Sequence, residues 1–308
     1  MTKTLIISSD GNNYFFPHVK SGGIRFASLG EGNGLIIFTA CRIIRRLHVN
    51  FPRIFAGSLL PLHDIDHIIV LDSGHFKGLK DLIRKYNKSC SIDLFIWNPM
   101  SRYQERILRE FDDLDHTWSL VPSDCKKYGI NFNTQFFCSE LRSSVQTEET
   151  KYDFLFVGRE KSRAEYIVQL VQQLEEANLS VKLHLLHSKA QYHPSIDEYL
   201  TNQFIPYSEY LDLLSQSRCL IDIINPLFPY YPLRVLEALF LSKKLITNNQ
   251  QIRNEPFYRS NNIYVLTGQH LDQSELQDFL NEPFDHSVDV YLPYYDIRQW
   301  LQRFWPMT

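Results

Sequence analysis

The sequence predicts an α/β protein made of two successive units, each a parallel sheet layered with helices. Three observations predict it. Short apolar runs alternate with longer amphipathic stretches, and strands that alternate with helices are joined by crossovers and lie parallel. A polar stretch without apolar period, Ser139–Lys151, separates one such series from a second. The 308 residues also suit two domains of about 150 residues each. Residues 1–140 are then the first unit, 141–151 a linker, 152–285 the second unit, and 286–308 a helical tail expected to pack back on the first unit.

In the first unit, strands are expected at Leu5–Ile7, Ile68–Leu71 and Leu94–Trp97, with helices over Leu35–His48, Leu79–Tyr86 and Arg102–Phe111. The second series opens with the strand Phe154–Val157, which runs into Gly158. Its first helix is marked by Ala164, Ile167, Val168, Val171 and Leu174 at helical spacing. Further strands follow at Leu183–Leu186, Leu220–Ile224, Leu245–Thr247 and Ile263–Leu266. The tail, Tyr294–Trp305, is amphipathic around Ile297, Trp300, Leu301 and Phe304 and reads as a packed closing helix. A membrane contact through Trp300, Phe304 and Trp305 is the weaker alternative, because the segment has no strong cationic face.

A content of 44% hydrophobic and 22% charged residues is that of a soluble globular chain with a core in each half. The net charge of −3 argues against a nucleic-acid partner, since phosphate backbones call for a clear basic surplus. Five cysteines without a C-x-x-C pair provide neither a zinc framework nor a disulfide scaffold and fit a reducing compartment. The first residues are too few and too polar for a signal peptide. No apolar run approaches the ~18 residues of a membrane span. The expected location is cytoplasmic, with room for peripheral contact with the inner membrane.

Two segments carry chemistry. Tyr230-Tyr231-Pro232-Leu233-Arg234-Val235-Leu236-Glu237 follows an apolar strand and opens a helix at the carboxyl edge of a sheet, where open α/β sheets bind phosphorylated ligands. A helix start presents unpaired amides to an anion, and Arg234 adds a forked cation. Glu237 lies three residues on, so both point from one helical face, and its carboxylate can accept from both hydroxyls of a ribose. An isolated R-x-x-E is more often a surface ion pair. The turn Gly158-Arg159-Glu160-Lys161 shifts that balance: Gly158 lets the backbone approach a ligand, and Arg159 and Lys161 reach phosphate oxygens on the same edge.

Phe156-Val157-Gly158-Arg159 with Lys161, the run Tyr207–Leu214 and the run Leu233–Phe240 resemble the nucleotide half of GT-B glycosyltransferases. The likeness is closest to bacterial enzymes that build lipopolysaccharide or capsule. Val121–Ile130 resembles the end of their first domain, so the likeness covers roughly residues 115–270. It implies two Rossmann-like domains whose parallel sheets face a central cleft. It also implies transfer of a sugar from a nucleotide-sugar donor to an oligosaccharide or glycolipid acceptor, with no metal and no cofactor. Gly158, Arg159, Lys161 and Arg234 would then hold the donor diphosphate, and Glu237 the ribose. Many retaining members carry an E-x7-E pair, and here the first position is Pro229, which leaves the stereochemical course open.

The first unit should hold the acceptor and, in an inverting enzyme, a general base on a strand-end loop. Asp10 and Asp72 occupy that edge, and each serves equally well as a cap or turn former. His18 and His75 are weaker candidates, because a lone loop histidine usually faces solvent. Trp97 and Asn98, at another strand end, suit a sugar ring; His18 is placed with them on the acceptor side. Gly30-Glu31-Gly32-Asn33-Gly34 looks like a dinucleotide loop, but Leu35 stands where the third glycine belongs. Asp64 and Asp66 precede their strand, the wrong end for a metal-chelating D-x-D, and the Asp112–His116 cluster is equally weak. Arg42, Arg45 and Arg46 share one helix side, attractive to anionic lipid or saccharide but more often a solvated face. Two rival functions stay open: a noncatalytic glycan-binding or scaffold protein on this fold, and a nucleotide-sugar epimerase.

Overall fold

A computed structural model describes residues 3–8, 15–20, 22–28, 61–111, 116–143, 145, 149–160, 163–187, 196–224, 230–268 and 271–304. Asp10, the Gly30–Gly34 loop, the expected helix Leu35–His48 with its three arginines, Asp112–Asp115, Lys161 and Pro229 lie outside the described residues. The chain divides into two compact units, Met1–Glu140 with Trp300–Thr308, and Leu141–Gln299.

The first unit holds β1 (Thr4–Ser8), β2 (Ile24–Ser28), β3 (His67–Leu71), β4 (Ser91–Ile96), β5 (Thr117–Ser119) and β6 (Asn131–Phe132). They form one sheet in the order β2-β1-β3-β4-β5-β6, every pair parallel. A parallel sheet is covered on both faces, and β1 and β3 are buried at every position. One face packs under α1 (Leu79–Tyr86), α2 (Arg102–Glu110) and α3 (Pro122–Tyr128), around Leu5, Ile68, Val70, Leu94 and Ile107. A separate cluster is aromatic: Phe15, Phe16, Phe95 and Trp300 gather around Phe136, and Trp300, 0% exposed, stacks on it with ring centroids 3.9 Å apart. The Trp300 indole donates to the Thr134 carbonyl at 2.9 Å, and Arg303 donates to Asn133 at 2.7 Å. Trp300 and Phe304 are therefore core residues, which removes them from the membrane reading of the tail.

The second unit holds β7 (Tyr152–Arg159), α4 (Ala164–Glu176), β8 (Val181–Leu186), β9 (Leu200–Thr201), α5 (Tyr207–Ser215) and β10 (Ser217–Asp222). It continues with α6 (Leu233–Phe240), β11 (Lys244–Thr247), β12 (Ile263–Val265), α7 (Gln273–Asn281) and α8 (Leu292–Tyr295). A last short helix, α9 (Ile297–Gln302), spans the boundary between the units. The sheet order is β12-β11-β10-β7-β8-β9, again all parallel. α4 buries Ala164, Ile167, Val168, Val171 and Leu174, the stripe its spacing predicts, and Leu170 as well.

Each sheet changes the direction of its strand order once, between β1 and β3 in the first and between β7 and β10 in the second. Loops leaving these neighbouring strands diverge, and the crevice at their carboxyl ends is where open α/β sheets take ligands. Among the described residues no helix is long and apolar enough to cross a membrane.

Candidate functional site

The β7–β10 switch point gathers charge. Asp222 ends β10 and is 0% exposed. Arg234, in the first turn of α6, places Nη1 3.4 Å from Asp222 Oδ1 and donates through Nη2 to the Val157 carbonyl at 2.6 Å. A Cβ at Gly158 would stand 3.3 Å from that Nη2, so a glycine leaves room for the guanidinium to cross the end of β7. Arg163, just before α4, donates to the carbonyls of Ile223 and Arg159. Both guanidiniums lie over the Phe156 ring, Arg234 at 4.9 Å and Arg163 at 5.9 Å from its centroid. Thr247 donates to the other Asp222 oxygen at 3.1 Å.

Two part-buried cations thus share one carboxylate. Burial, reinforced by repulsion from Arg234, pulls the Arg163 pKa down to about 10. Burial also raises the Asp222 pKa, against the pull of both arginines. Two mutually repelling guanidiniums thus sit in a poorly solvated place at the sheet edge, an arrangement that an anion would relieve.

Glu237 turns the other way. Only 4% exposed, it accepts from the Tyr207 hydroxyl at 2.8 Å on one oxygen and from the Tyr210 hydroxyl at 2.7 Å on the other. Burial raises its pKa, while the two tyrosines and the Arg234 charge favour the ionised form. Arg234 reaches toward β7 and β10 and Glu237 toward α5, and the two stay linked electrostatically and through Tyr210. Arg159 is exposed at the end of β7. The next residue, Glu160, is 0% exposed and lies 3.5 Å from the Nδ1 of His187, just past β8.

The β1–β3 switch point has a different character. Asp72 follows β3, is 1% exposed, and accepts from Gln104 Nε2 at 2.9 Å, Asn98 Nδ2 at 3.1 Å and the Trp97 amide at 3.3 Å. Burial raises its pKa. Its carboxylate holds the 97–98 loop against α2 rather than standing open at the edge. Ser8 and Ser73 face each other across the two strand ends at 3.3 Å. A Cβ on Gly74 would come within 2.5 Å of the Ile7 carbonyl oxygen, so only glycine fits this turn. Asn98 is exposed, and Trp97 is fixed by its indole bond to Gln135 at 2.6 Å and by stacking on Phe136 at 5.3 Å.

His18 closes the short turn Phe16–His18 and is half-buried. His75 is not the solvent-facing residue that its loop position suggests. It is 4% exposed, with Nε2 3.6 Å from Glu110 and its ring against Phe111, because the turn Asp72–Gly74 folds it under α2. Asp64 pairs with the Lys3 ammonium at 3.1 Å and Asp66 accepts from the Lys3 amide at 2.8 Å, so both anchor the start of β1. Among the described residues no group of three or more His, Cys, Asp or Glu is placed to hold a metal ion.

Local sequence reasoning gave no role to Arg163 or Asp222, and it met Tyr207 and Tyr210 only as part of the run Tyr207–Leu214. Asp222 carried a signal, a lone acid in an apolar strand.

No protein-family model and no curated protein matches the sequence. Solved structures do match. Anabaena HepE in complex with UDP and glucose aligns over 98% of both chains at a TM-score of 0.52 and 10% identity. T4 phage BGT in complex with its UDP-glucose substrate aligns over 98% of both at 0.51 and 14%. An alpha-glucosyltransferase in complex with UDP and a 13-mer DNA covers 98% of this chain and 93% of its own, at 0.55 and 13%. These neighbours are GT-B glycosyltransferases, and the paired six-stranded parallel sheets of this chain have the GT-B fold. At such identity the likeness is one of fold.

Proposed function

We propose that the chain is a glycosyltransferase that moves a sugar from a nucleoside-diphosphate donor to a saccharide acceptor in the synthesis of a bacterial surface glycan. One observation carries the reading: Arg163 and Arg234 lie over Phe156 beside Gly158, with the single carboxylate Asp222, at the carboxyl edge between β7 and β10. The acceptor hydroxyl oxygen bonds to the anomeric carbon as the bond from that carbon to the donor phosphate oxygen breaks. The electron pair leaves with the nucleoside diphosphate, whose growing charge the two guanidiniums neutralise. Arg159 and Lys161 extend the phosphate site, and Glu237 takes the ribose. Asp10 receives the acceptor proton, and Asp72 holds Asn98 and Trp97 toward the acceptor, with His18 on the same side. The lipopolysaccharide or capsule role rests on the sequence resemblance, and the UDP-sugar complexes of the neighbours make UDP-glucose the first probe.

Calorimetric titration with UDP-glucose, followed by an assay of UDP release with and without membrane glycan extract, tests the reading. Binding, with release that depends on the extract, is expected. Failure to bind any nucleotide sugar removes it. The scaffold alternative draws on the tyrosine-bound oxygens of Glu237 and on Pro229, and it predicts no release under either condition. An epimerase would convert the donor without any extract.

A further inference from the structure

Trp300 and Phe304 are buried, which leaves Tyr294 as the exposed aromatic among the described residues of the tail, and a surface of the first unit is strongly charged. α1, α2 and α3 lie side by side on one face of the first sheet. Lys80 of α1 sits 5.4 Å from the ring of Phe111 at the end of α2, and Tyr128 of α3 donates to Glu105 of α2 at 2.5 Å. Arg102, Arg106 and Arg109 follow one another at i, i+4 and i+7 along α2, all exposed. Lys85 and Lys88 at the end of α1, and Lys126 and Lys127 on α3, are exposed too.

Among the described residues, three of the four carboxylates on these helices are used internally, and Asp81 of α1 is exposed. Glu105 accepts from Tyr128, Asp124 accepts from the Met100 amide at 2.8 Å, and Glu110 lies beside the buried His75. Among the described residues, none of the three α2 arginines makes an ion pair. The segregation is not a reflection of composition, since the whole chain carries −3.

We infer that the outer face of α1, α2 and α3 docks the protein on an anionic lipid surface. Three helices side by side present their cations over a broad layer, which suits a plane of phosphate headgroups, and arginine forks bind such groups well. A duplex offers a curved strip of phosphates, which a layer three helices wide fits less well than it fits a plane. The inference is independent of the β7–β10 site and of the activity assigned to it.

Cosedimentation of the full chain with vesicles tests it, with Asp112, Asp113 and Asp115 in place after α2. Binding to phosphatidylcholine vesicles containing phosphatidylglycerol is expected, with none to phosphatidylcholine alone and with weakening as salt is added. The triple variant Arg102→Glu, Arg106→Glu, Arg109→Glu should bind about tenfold more weakly or worse. Its melting temperature and UDP-glucose affinity should match the wild type. Reversing Lys151 and Arg253, exposed cations of the second unit, should leave vesicle binding unchanged. Equal binding to both vesicle types, an unaffected triple variant, or a triple-sensitive preference for duplex DNA over vesicles overturns the inference.

Discussion

The two switch points share a topology and differ in charge. Between β1 and β3 a buried carboxylate, Asp72, is saturated by neutral amide donors. Between β7 and β10 a buried carboxylate, Asp222, is outnumbered by two guanidiniums. The same strand reversal therefore sets a carboxylate among amides in one unit and among guanidiniums in the other. Such a division suits a reaction between a neutral hydroxyl acceptor and a diphosphate donor.

The largest effect should follow from removing the cation that ties the second edge together. Arg234→Ala leaves Asp222 buried with a weakened partner and should cost about 3 kcal/mol of stability in chemical denaturation. It should also weaken UDP-glucose binding about a hundredfold through lost charge-assisted hydrogen bonds. Unchanged affinity in a folded variant would make the edge purely structural. Next comes the first edge: Asp72→Ala strands the buried amide of Gln104 and should cost about 2 kcal/mol, with UDP-glucose affinity unaltered. A fall in donor affinity would erase the distinction between the edges.

Much of this contrast was legible in sequence, for reasons that also mark where legibility ended. The apolar runs that became β1, β3, β7, β10 and β11 announced themselves because a parallel strand buried on both faces is apolar throughout. β2 did not: its pattern, Ile24-Arg25-Phe26-Ala27-Ser28, is that of an edge strand only part buried. Arg234 stood out as a charge at a helix start. Its partners did not, because Asp222 and the Val157 carbonyl belong to strands 12 and 77 residues away in sequence. The i,i+3 spacing suggested that Arg234 and Glu237 share a target; that Tyr207 and Tyr210 of α5 hold the carboxylate is visible only in the packing. The sequence placed Asp72 at a strand end, yet only the tertiary packing of Gln104 and Asn98 reveals that its oxygens are occupied.

Smaller effects sharpen the second edge. Tyr210→Phe removes the buried donor of Glu237 and should cost about 1 kcal/mol while lowering UDP-glucose affinity, because the carboxylate loses its inner anchor. Tyr207→Phe removes the half-buried donor, whose place a ribose hydroxyl can fill, so donor affinity should hold or rise. Calorimetry on the two variants separates these outcomes, and equal losses would deny Glu237 a ribose role.

The smallest effect concerns pH. Burial holds Asp72 above its ordinary pKa, so the folded state binds its proton more tightly than the unfolded chain does. That contribution is full below about pH 4 and is lost as pH rises through the folded pKa. Asp72→Asn cannot titrate, so the stability of wild type relative to the variant should fall between pH 4 and the folded pKa. Melting both proteins across that window is the check, and a constant difference would refute the assignment.

The claim that the β7–β10 edge recognises phosphate is tested most directly by titrating wild type and Arg163→Met with UDP-glucose and with uridine. The diphosphate should give the wild type a strong preference for UDP-glucose, and that preference should collapse in the variant while uridine binds both alike. A preference that survives the loss of Arg163 would contradict the account.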